Sequence, residues 1–330
     1  MNGVVGTIIN FLCAAVLAGT PFLFGTVGEI ITERSGNLNL GVEGMMYMGG
    51  VAGIAGAYIY EQASANPIGW VAAIIAVLSA FLCAAFGALI YSFLTVTLRA
   101  NQNVTGLALS IFGTGFGNFF GEVLGNKAGG FVVVTNQTKE AFSVGIPGLS
   151  KIPVVGKLLF SYNFVVYLGI LIAILAAIYF AKTRSGLNLR AVGESPATAD
   201  AAGINVTRMK YLATCIGGGI CGIGGMYIVM VTCSGVWVHD CVNGYGWRAV
   251  ALVIFATWSP GRALIGSFVF GGLSILRYYL HLGLNNAQSQ LYDIVPYLAT
   301  VLVLIVTGIR QSKEHAQPAS CGLNYFREER

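Results

Sequence analysis

Two polar residues, Asn39 and Glu43, stand in a segment where the surrounding sequence is strongly apolar. The segment 28–50 joins two apolar runs and contains six glycines. If a helix begins by Leu38, Asn39 and Glu43 share one helix face, because residues four apart are neighbours on a helix. Polar groups at a broken membrane span are typical of transport pathways. A purely structural role for both residues stays open beside this interpretation.

Catalytic chemistry finds little support in the sequence. His239 and Asp240 are adjacent, and no Ser or Cys nucleophile is arranged beside them. Adjacent residues point in different directions, so we interpret this pair as interfacial anchoring. Gly156-Lys157 lacks the upstream Gly and the following Ser or Thr of a P-loop, so the chain is not expected to hydrolyse ATP by itself. No Cys/His cluster has metal-ligand spacing, and no cofactor bound by this chain is expected.

Composition indicates the class of protein. Hydrophobic residues make up 56% of the 330 residues, charged residues 9%, and the mean hydropathy is +0.75. A soluble domain carries about a quarter charged residues. Lipid cannot satisfy backbone polar groups, so long apolar runs must form helices. We therefore predict an all-α integral membrane protein, in which the 45 glycines allow close helix packing.

The rule of about 20 apolar residues per span predicts nine transmembrane helices. The seventh is too short to cross comfortably and is expected to be broken or re-entrant. The predicted spans are 4–31, 42–60, 69–98, 103–121, 161–181, 208–232, 246–258, 263–282 and 290–308. They form a single transmembrane domain over 1–310, with an outer segment at 121–160 and a polar, mobile tail at 311–330.

The distribution of basic residues predicts the orientation. Twelve of the eighteen Lys and Arg fall on one side if the loop at 32–41 is cytoplasmic. Cytoplasmic loops carry the excess of Lys and Arg. The N-terminus is therefore expected outside and the C-terminus inside, as an odd number of spans requires.

The loop 182–210 is the longest polar interruption late in the chain, and it holds five of the basic residues. Ser195 followed by Pro196 is typical of an N-cap and the first helical position. Gly203 suits the left-handed position that ends a helix. We expect a helix of about two turns from Pro196 to Ala202, standing alone in the loop and docking onto a partner. The alternative is an ordinary solvated loop.

Two further patterns leave alternatives open. Polar residues recur along the fourth span from Asn103 to Asn118, and this stripe faces either neighbouring helices or a pore. Most of the seven cysteines lie inside apolar runs as packing residues. Cys233 and Cys241 flank one outer loop, where they either pair or remain free thiols.

Four motifs in this order carry a resemblance to a known family. They are ITERSGNLNLGVEGMM (31–46), IPGLSKIPVVGKLLF (146–160), LRAVGESPATADAAGIN (189–205) and FATWSPGRALIGSFVFG (255–271). Together they resemble the permease subunits of ABC importers for nucleosides and simple sugars, relatives of the branched-chain amino acid and ribose permeases. The resemblance covers about residues 4–310 and is strongest to the shorter of the two nucleoside permeases of such systems. The turn SPGR (259–262) departs from the family pattern.

The resemblance implies an assembly in the bacterial plasma membrane. The partners are an ABC ATP-binding subunit that carries ATP and Mg²⁺, a second homologous permease subunit in a pseudo-symmetric heterodimer, and an extracellular substrate-binding lipoprotein. The loop 182–210 would hold the coupling helix that docks on the ATPase. The matching residues are Arg190, Gly193, Glu194, Ser195, Pro196, Ala199, Ala202 and Gly203.

The resemblance also implies a substrate path between the two permeases. Its lining residues would be Asn39, Glu43, Asn103 and Phe112, with Asn118 and Trp247 as further candidates. Asparagine amides offer donors and acceptors, and aromatic faces stack on a base, which suits nucleosides. A simple-sugar permease of the ribose or galactose type is the alternative within this class.

A different class of transporter remains an alternative. An ion-coupled secondary transporter needs paired intramembrane acids, and Glu29 and Glu43 are the candidates here. A membrane enzyme is a weaker alternative, because His239, Asp240 and His281 do not assemble a nucleophile and base.

Overall fold

The structure is a computed structural model that describes residues 4–145, 155–279, 294–310 and 316–326. The outer motif at 146–154 and His281 lie outside the described residues. Two π-helical turns, 93–97 and 228–232, extend α3 and α10. The α-helices of this part are α1 Val4–Glu33, α2 Val42–Ala63, α3 Gly69–Ser92, α4 Gln102–Lys127, α5 Asn136–Ala141, α6 Val155–Leu159, α7 Phe164–Lys182, α8 Arg184–Glu194, α9 Pro196–Ala201, α10 Val206–Tyr227, α11 Tyr245–Phe255, α12 Pro260–Tyr279 and α13 Val295–Arg310.

The predicted membrane class is confirmed, and the described part of each predicted span is largely helical. Five helical segments are long and apolar enough to cross a bilayer: Val5–Glu33, Gly69–Thr97, Gln102–Lys127, Phe164–Lys182 and Val206–Thr232. Two shorter apolar helices, α11 and α12, follow them. The number of nine spans and the orientation stay predictions.

Helix α10 lies at the centre and packs against α1, α2 and α3. Small residues make this approach possible. A Cβ atom on Gly49 of α2 would lie 2.3 Å from the Cα of Gly222 of α10, closer than any real contact. The face of α3 toward this core is a row of fully buried alanines: Ala72, Ala76, Ala80, Ala84 and Ala88. Backbone packing over small residues is what holds helices together in lipid.

The connection between α1 and α2 returns into the bundle. Ser110 of α4 donates a hydrogen bond from its hydroxyl to the carbonyl of Leu40, at 2.7 Å. Ser110 lies eight residues after the start of α4 at Gln102, which is about 12 Å along a helix. Helix α2 therefore begins well inside the bundle, beside the middle of α4.

Helix α11 is a half-helix. Its 11 residues span about 16 Å, roughly half of the hydrocarbon core of a bilayer. Its first turn lies beside Glu43, and the turn after its end lies beside the end of α1, where Arg34 donates to the carbonyl of Trp258 at 3.1 Å. This matches the prediction of a short, broken seventh segment.

The loop 182–210 differs from the prediction of one isolated helix. An additional helix, α8, precedes α9, and its N-cap Thr183 accepts the Gly186 N–H at 3.0 Å. Helix α9 begins at Pro196 as predicted, and Gly203 is left-handed with φ +82°. The predicted capping bond from Ser195 is wrong, because its hydroxyl pairs with the hydroxyl of Thr198 at 2.8 Å.

Two further predictions, on the C-terminal tail and on Cys233 and Cys241, concern residues outside the helices. The prediction of a mobile tail is wrong for 316–326, because this segment is hydrogen-bonded to the loop 182–210. Cys233 and Cys241 are free thiols that contact each other in the outer loop between α10 and α11.

Candidate translocation site

A cavity of about 510 Å³ lies where α2, α4 and α11 meet the loop 233–244. The cavity lies next to the first turns of two interrupted helices, α2 and α11, and next to the middle of the continuous helix α4. Its lining residues are Glu43, Tyr47, Leu107, Ser110, Ile111, Thr114, Asp240, Asn243 and Trp247. The wall is therefore apolar along one side of α4, and polar or aromatic elsewhere.

The carboxylate of Glu43 binds the first turn of α11. It accepts backbone N–H groups from Gly244 at 2.5 Å, Gly246 at 2.6 Å and Trp247 at 3.3 Å. The first N–H groups of a helix lack intrahelical partners, and a negative charge is favourable at that end of the helix dipole. A side chain at Gly246 is excluded, because its Cβ would lie 2.4 Å from the Cα of Glu43. Glu43 thus holds α2 and α11 together at the cavity wall.

Asn39 lies behind this wall and is fully buried. Its side-chain N–H donates to Glu29 at 3.1 Å, and its backbone N–H donates to the other Glu29 oxygen at 3.2 Å. Its amide oxygen accepts the Gly41 N–H at 2.9 Å. The expected common helix face for Asn39 and Glu43 is wrong, because α2 begins only at Val42. Asn39 fixes the returning connection and does not line the cavity.

Asp240, in the loop 233–244, closes one side of the cavity. Its carboxylate accepts the side-chain N–H of Asn118 at 2.7 Å and the hydroxyl of Tyr47 at 3.1 Å. The hydrogen bond from Asn118 is the main cause that holds the pKa of Asp240 below its ordinary value. Next to it, His239 lies 3.0 Å from Glu122. The pair His239-Asp240 therefore connects the loop 233–244 to α2 and α4, a role that adjacency in sequence did not reveal.

The other predicted path residues divide into two groups. Trp247 lines the cavity and is 39% exposed. Asn118 does not line the cavity but donates a hydrogen bond to Asp240, which does. Asn103 and Phe112 lie on the exposed face of α4, where Phe112 is 53% exposed. Tyr47, Asp240 and Asn243 also line the cavity, and the sequence did not identify them as path residues. Their only signal was an unusual density of polar and aromatic residues near the ends of apolar runs.

Of the residues predicted for coupling in the loop 182–210, some are buried and others are exposed. Ala199 is buried against Val192 and Val206, and a Cβ on Gly193 would lie 2.4 Å from the carbonyl oxygen of Arg34. Both residues therefore pack the loop against the rest of the chain. The outward residues are Arg190, Glu194, Ser195, Ala202 and Gly203, while Pro196 is half-buried.

The chemistry of the described residues is that of binding. Among them, no group of three or more His, Cys, Asp or Glu side chains is placed to hold a metal ion. Amide, hydroxyl and aromatic groups instead surround a cavity whose acids already accept hydrogen bonds from the protein. This arrangement can bind an uncharged polar ligand reversibly.

Comparison with known proteins places these features in a family. Residues 10–304 match the model of the branched-chain amino acid transport system permease component. A Haloferax volcanii protein named "Putative glucose ABC transporter permease protein TsgC13" is 33% identical, with 97% of this chain and 98% of that protein covered. A nucleoside ABC transporter permease protein of Lactococcus lactis is 30% identical, with coverage of 98% and 99%. A guanosine ABC transporter permease protein of Bacillus subtilis is 31% identical, with coverage of 88% and 89%. The chain belongs to the family of branched-chain amino acid transport system permease components, and it is a multi-pass membrane protein of that family.

Proposed function

We propose that this chain is the permease subunit of an ABC importer and that nucleosides cross the membrane through the cavity at Glu43. The observation that carries the proposal is the cavity wall, where the partly exposed ring of Trp247 occurs together with the amide of Asn243 and the hydroxyl oxygen of Thr114. Two full-length relatives bear names of nucleoside or guanosine permeases. The volume of about 510 Å³ falls in the range of small-molecule sites.

The wall matches the two parts of a nucleoside. The indole face of Trp247, which is 39% exposed, suits stacking on a base, while Tyr47 is buried within the wall. The exposed amide of Asn243 offers a donor and an acceptor for the ribose hydroxyls, and Thr114, whose hydroxyl donates to the Ser110 carbonyl, offers an acceptor oxygen. Glu43 already accepts three N–H groups from α11, so its charge is balanced by the helix terminus and an uncharged ligand is favoured beside it.

The same arrangement supports the proposed assembly. The cavity borders the exposed face of α4, which carries Ile111 at 77% exposure and Phe112 at 53%. A second permease subunit packed on this face would complete the path. The outward side of α9, with Ala202 and Gly203 exposed, would dock on an ATP-binding subunit, which supplies ATP and Mg²⁺. A substrate-binding lipoprotein would deliver the ligand, and the assembly would lie in a bacterial plasma membrane.

Uptake of tritiated inosine by cells that express the complete transporter tests the substrate. We expect Trp247→Ala to lower uptake about tenfold, which corresponds to the loss of one aromatic stacking contact. Trp70→Ala is the matched control, because Trp70 is 49% exposed at the start of α3 and does not line the cavity. Competition by unlabelled guanosine would support a nucleoside path. Competition by glucose or ribose alone would favour the sugar alternative that the name of the Haloferax relative suggests.

A further inference from the structure

The tail segment 316–326 is hydrogen-bonded to the loop 182–210. The backbone N–H of Ser320 donates to the carbonyl of Gly193 at 3.0 Å, and its hydroxyl donates to the carbonyl of Glu194 at 3.1 Å. The Ala319 N–H donates to the Glu194 carboxylate at 3.2 Å. The hydroxyl of Tyr325 donates to the Asp200 carboxylate, within α9, at 2.8 Å.

The other side of the same segment is bonded to the start of α4. The side-chain N–H of Asn324 donates to the carbonyl of Arg99 at 2.6 Å. The side chain of Gln102, in the first turn of α4, donates to the carbonyl of Leu323 at 3.2 Å. The Arg99 guanidinium lies 4.6 Å from the centre of the Phe326 ring. The tail therefore spans the gap between α9 and α4.

The segment has a compact form of its own. The Cys321 N–H donates to the carbonyl of Pro318 at 2.9 Å, and the Leu323 N–H donates to the carbonyl of Ser320 at 3.2 Å. Gly322 adopts φ +84°, a left-handed conformation that glycine takes without strain. Pro318 is buried. A short turn with bonds at both ends can transmit a displacement, whereas a flexible strand cannot.

A series of hydrogen bonds connects the tail to the cavity. Gln102 accepts the Leu38 N–H at 2.7 Å, so it connects the tail to the returning connection before α2. Eight residues further along α4, Ser110 bonds to Leu40 and lines the cavity. A shift of the Arg99–Gln102 turn would therefore move both the α4 wall and the connection that positions Glu43.

We propose that residues 316–326 are a brace that couples α9 to α4, so that movement of the coupling helix reaches the cavity wall through the tail. This inference rests on the proposed function. Ala201 at the end of α9 and Ala202 directly after it stay exposed beside the brace. The brace thus holds the inner side of the coupling loop and leaves the docking side to the ATPase. Asn324 and Ser320 are positioning residues, since they act through Arg99 and Gly193.

The test compares transport with ATP hydrolysis in the purified complete transporter in proteoliposomes. A chain that ends before Ala316 removes the brace. We expect it to retain the ATP-binding subunit and ATP hydrolysis, and to import about tenfold less inosine per ATP hydrolysed, an effect equal to the net contribution of about one hydrogen bond. A purely structural role would lower hydrolysis and transport together and would leave their ratio unchanged.

Point variants keep the test open if the shortened chain does not fold. Asn324→Asp removes the donor to Arg99 and should lower the ratio of import to hydrolysis in the same direction. Asn126→Asp is the matched control, since Asn126 is exposed near the end of α4, away from the tail. An unchanged ratio in both the shortened chain and Asn324→Asp would overturn the brace alone. Absence of an ATP-binding subunit from the wild-type preparation would overturn the proposed function and the brace with it.

Discussion

Glu43 accepts the backbone N–H of Gly246 at 2.6 Å, and this contact joins the first turn of α2 to the first turn of α11. Both helices begin inside the bundle, next to the continuous helix α4. Interrupted helices are tolerated in a membrane only where the freed backbone groups find partners in the protein or line a cavity. Here the carboxylate supplies the partners and the cavity lies alongside, so structural support and the proposed path share one residue.

Replacing Glu43 tests how much the contact stabilises the fold. Hydrogen bonds to a charged group contribute roughly 1.5–3 kcal/mol each, so the loss of the two short bonds from Gly244 and Gly246 in Glu43→Ala should destabilise the chain by about 3 kcal/mol or more. Glu43→Gln keeps one acceptor oxygen and should cost about half as much. Thermal unfolding in detergent measures the order of the two variants. Equal stability of Glu43→Ala and wild type would show that α11 does not depend on this carboxylate.

Asn39 and Asn103 should respond differently to alanine. Asn39→Ala removes the side-chain N–H that donates to the buried Glu29, and a buried polar group that loses its partner costs roughly 1–3 kcal/mol. We expect less folded protein in the membrane for Asn39→Ala and wild-type amounts for Asn103→Ala, whose site is exposed. Fluorescence-detected size-exclusion chromatography measures both. Normal folding with lost uptake in Asn39→Ala would instead place Asn39 in the substrate path.

The contribution of Asp240 to folding stability should depend on pH in a defined way. Its pKa is held below the ordinary value of 3.8, so its contribution to stability is present above that value and lost only as the pH falls through the lower folded pKa. The stability difference between wild type and Asp240→Asn should therefore stay constant from about pH 8 to about pH 5. Thermal unfolding across this range measures it. A difference that fades between those limits would contradict the assignment of this contribution to the Asp240 carboxylate.

Arginine variants at Ala199 and Ala202 distinguish a role in packing the loop 182–210 from a role in docking on the ATP-binding subunit. Ala202 is exposed, so Ala202→Arg should leave the chain folded and abolish co-purification of an ATP-binding subunit. Ala199 is buried against Val192 and Val206, so Ala199→Arg should disrupt the loop itself and lower thermal stability. Affinity purification with mass spectrometry distinguishes the two outcomes. Full retention of the ATPase by Ala202→Arg would exclude this face of α9 as the docking site.

The sequence predicted the helical segments well because their signal is local. An apolar run of sufficient length must form a helix in lipid, so the boundaries of α3, α7 and α10 follow from composition. Pro196 and Gly203 likewise mark the limits of α9 through backbone geometry alone. Helix α8 was missed because its residues, RSGLNLRAVGE, are polar and resemble a loop when read for hydropathy.

The site was predictable only in part because its contacts are distant in sequence. Glu43 and Gly246 are 203 residues apart, and Tyr47 and Asp240 are 193 apart. A polar residue in an apolar run signals that a partner exists, but it does not identify the partner. Asn39 and Glu43 carry the same signal, and only the fold places one behind the wall and the other in it. The docked tail was missed for the same reason, since its polar composition resembles that of a mobile terminus.

The most direct test of the account is purification of the tagged chain from its native membranes in mild detergent, followed by mass spectrometry and an ATPase assay. The account predicts that a P-loop ATPase and a second permease co-purify, and that the binding protein loaded with inosine stimulates ATP hydrolysis. Recovery of the chain alone or as a homo-oligomer, without ATPase activity, would contradict it and would favour an ion-coupled transporter.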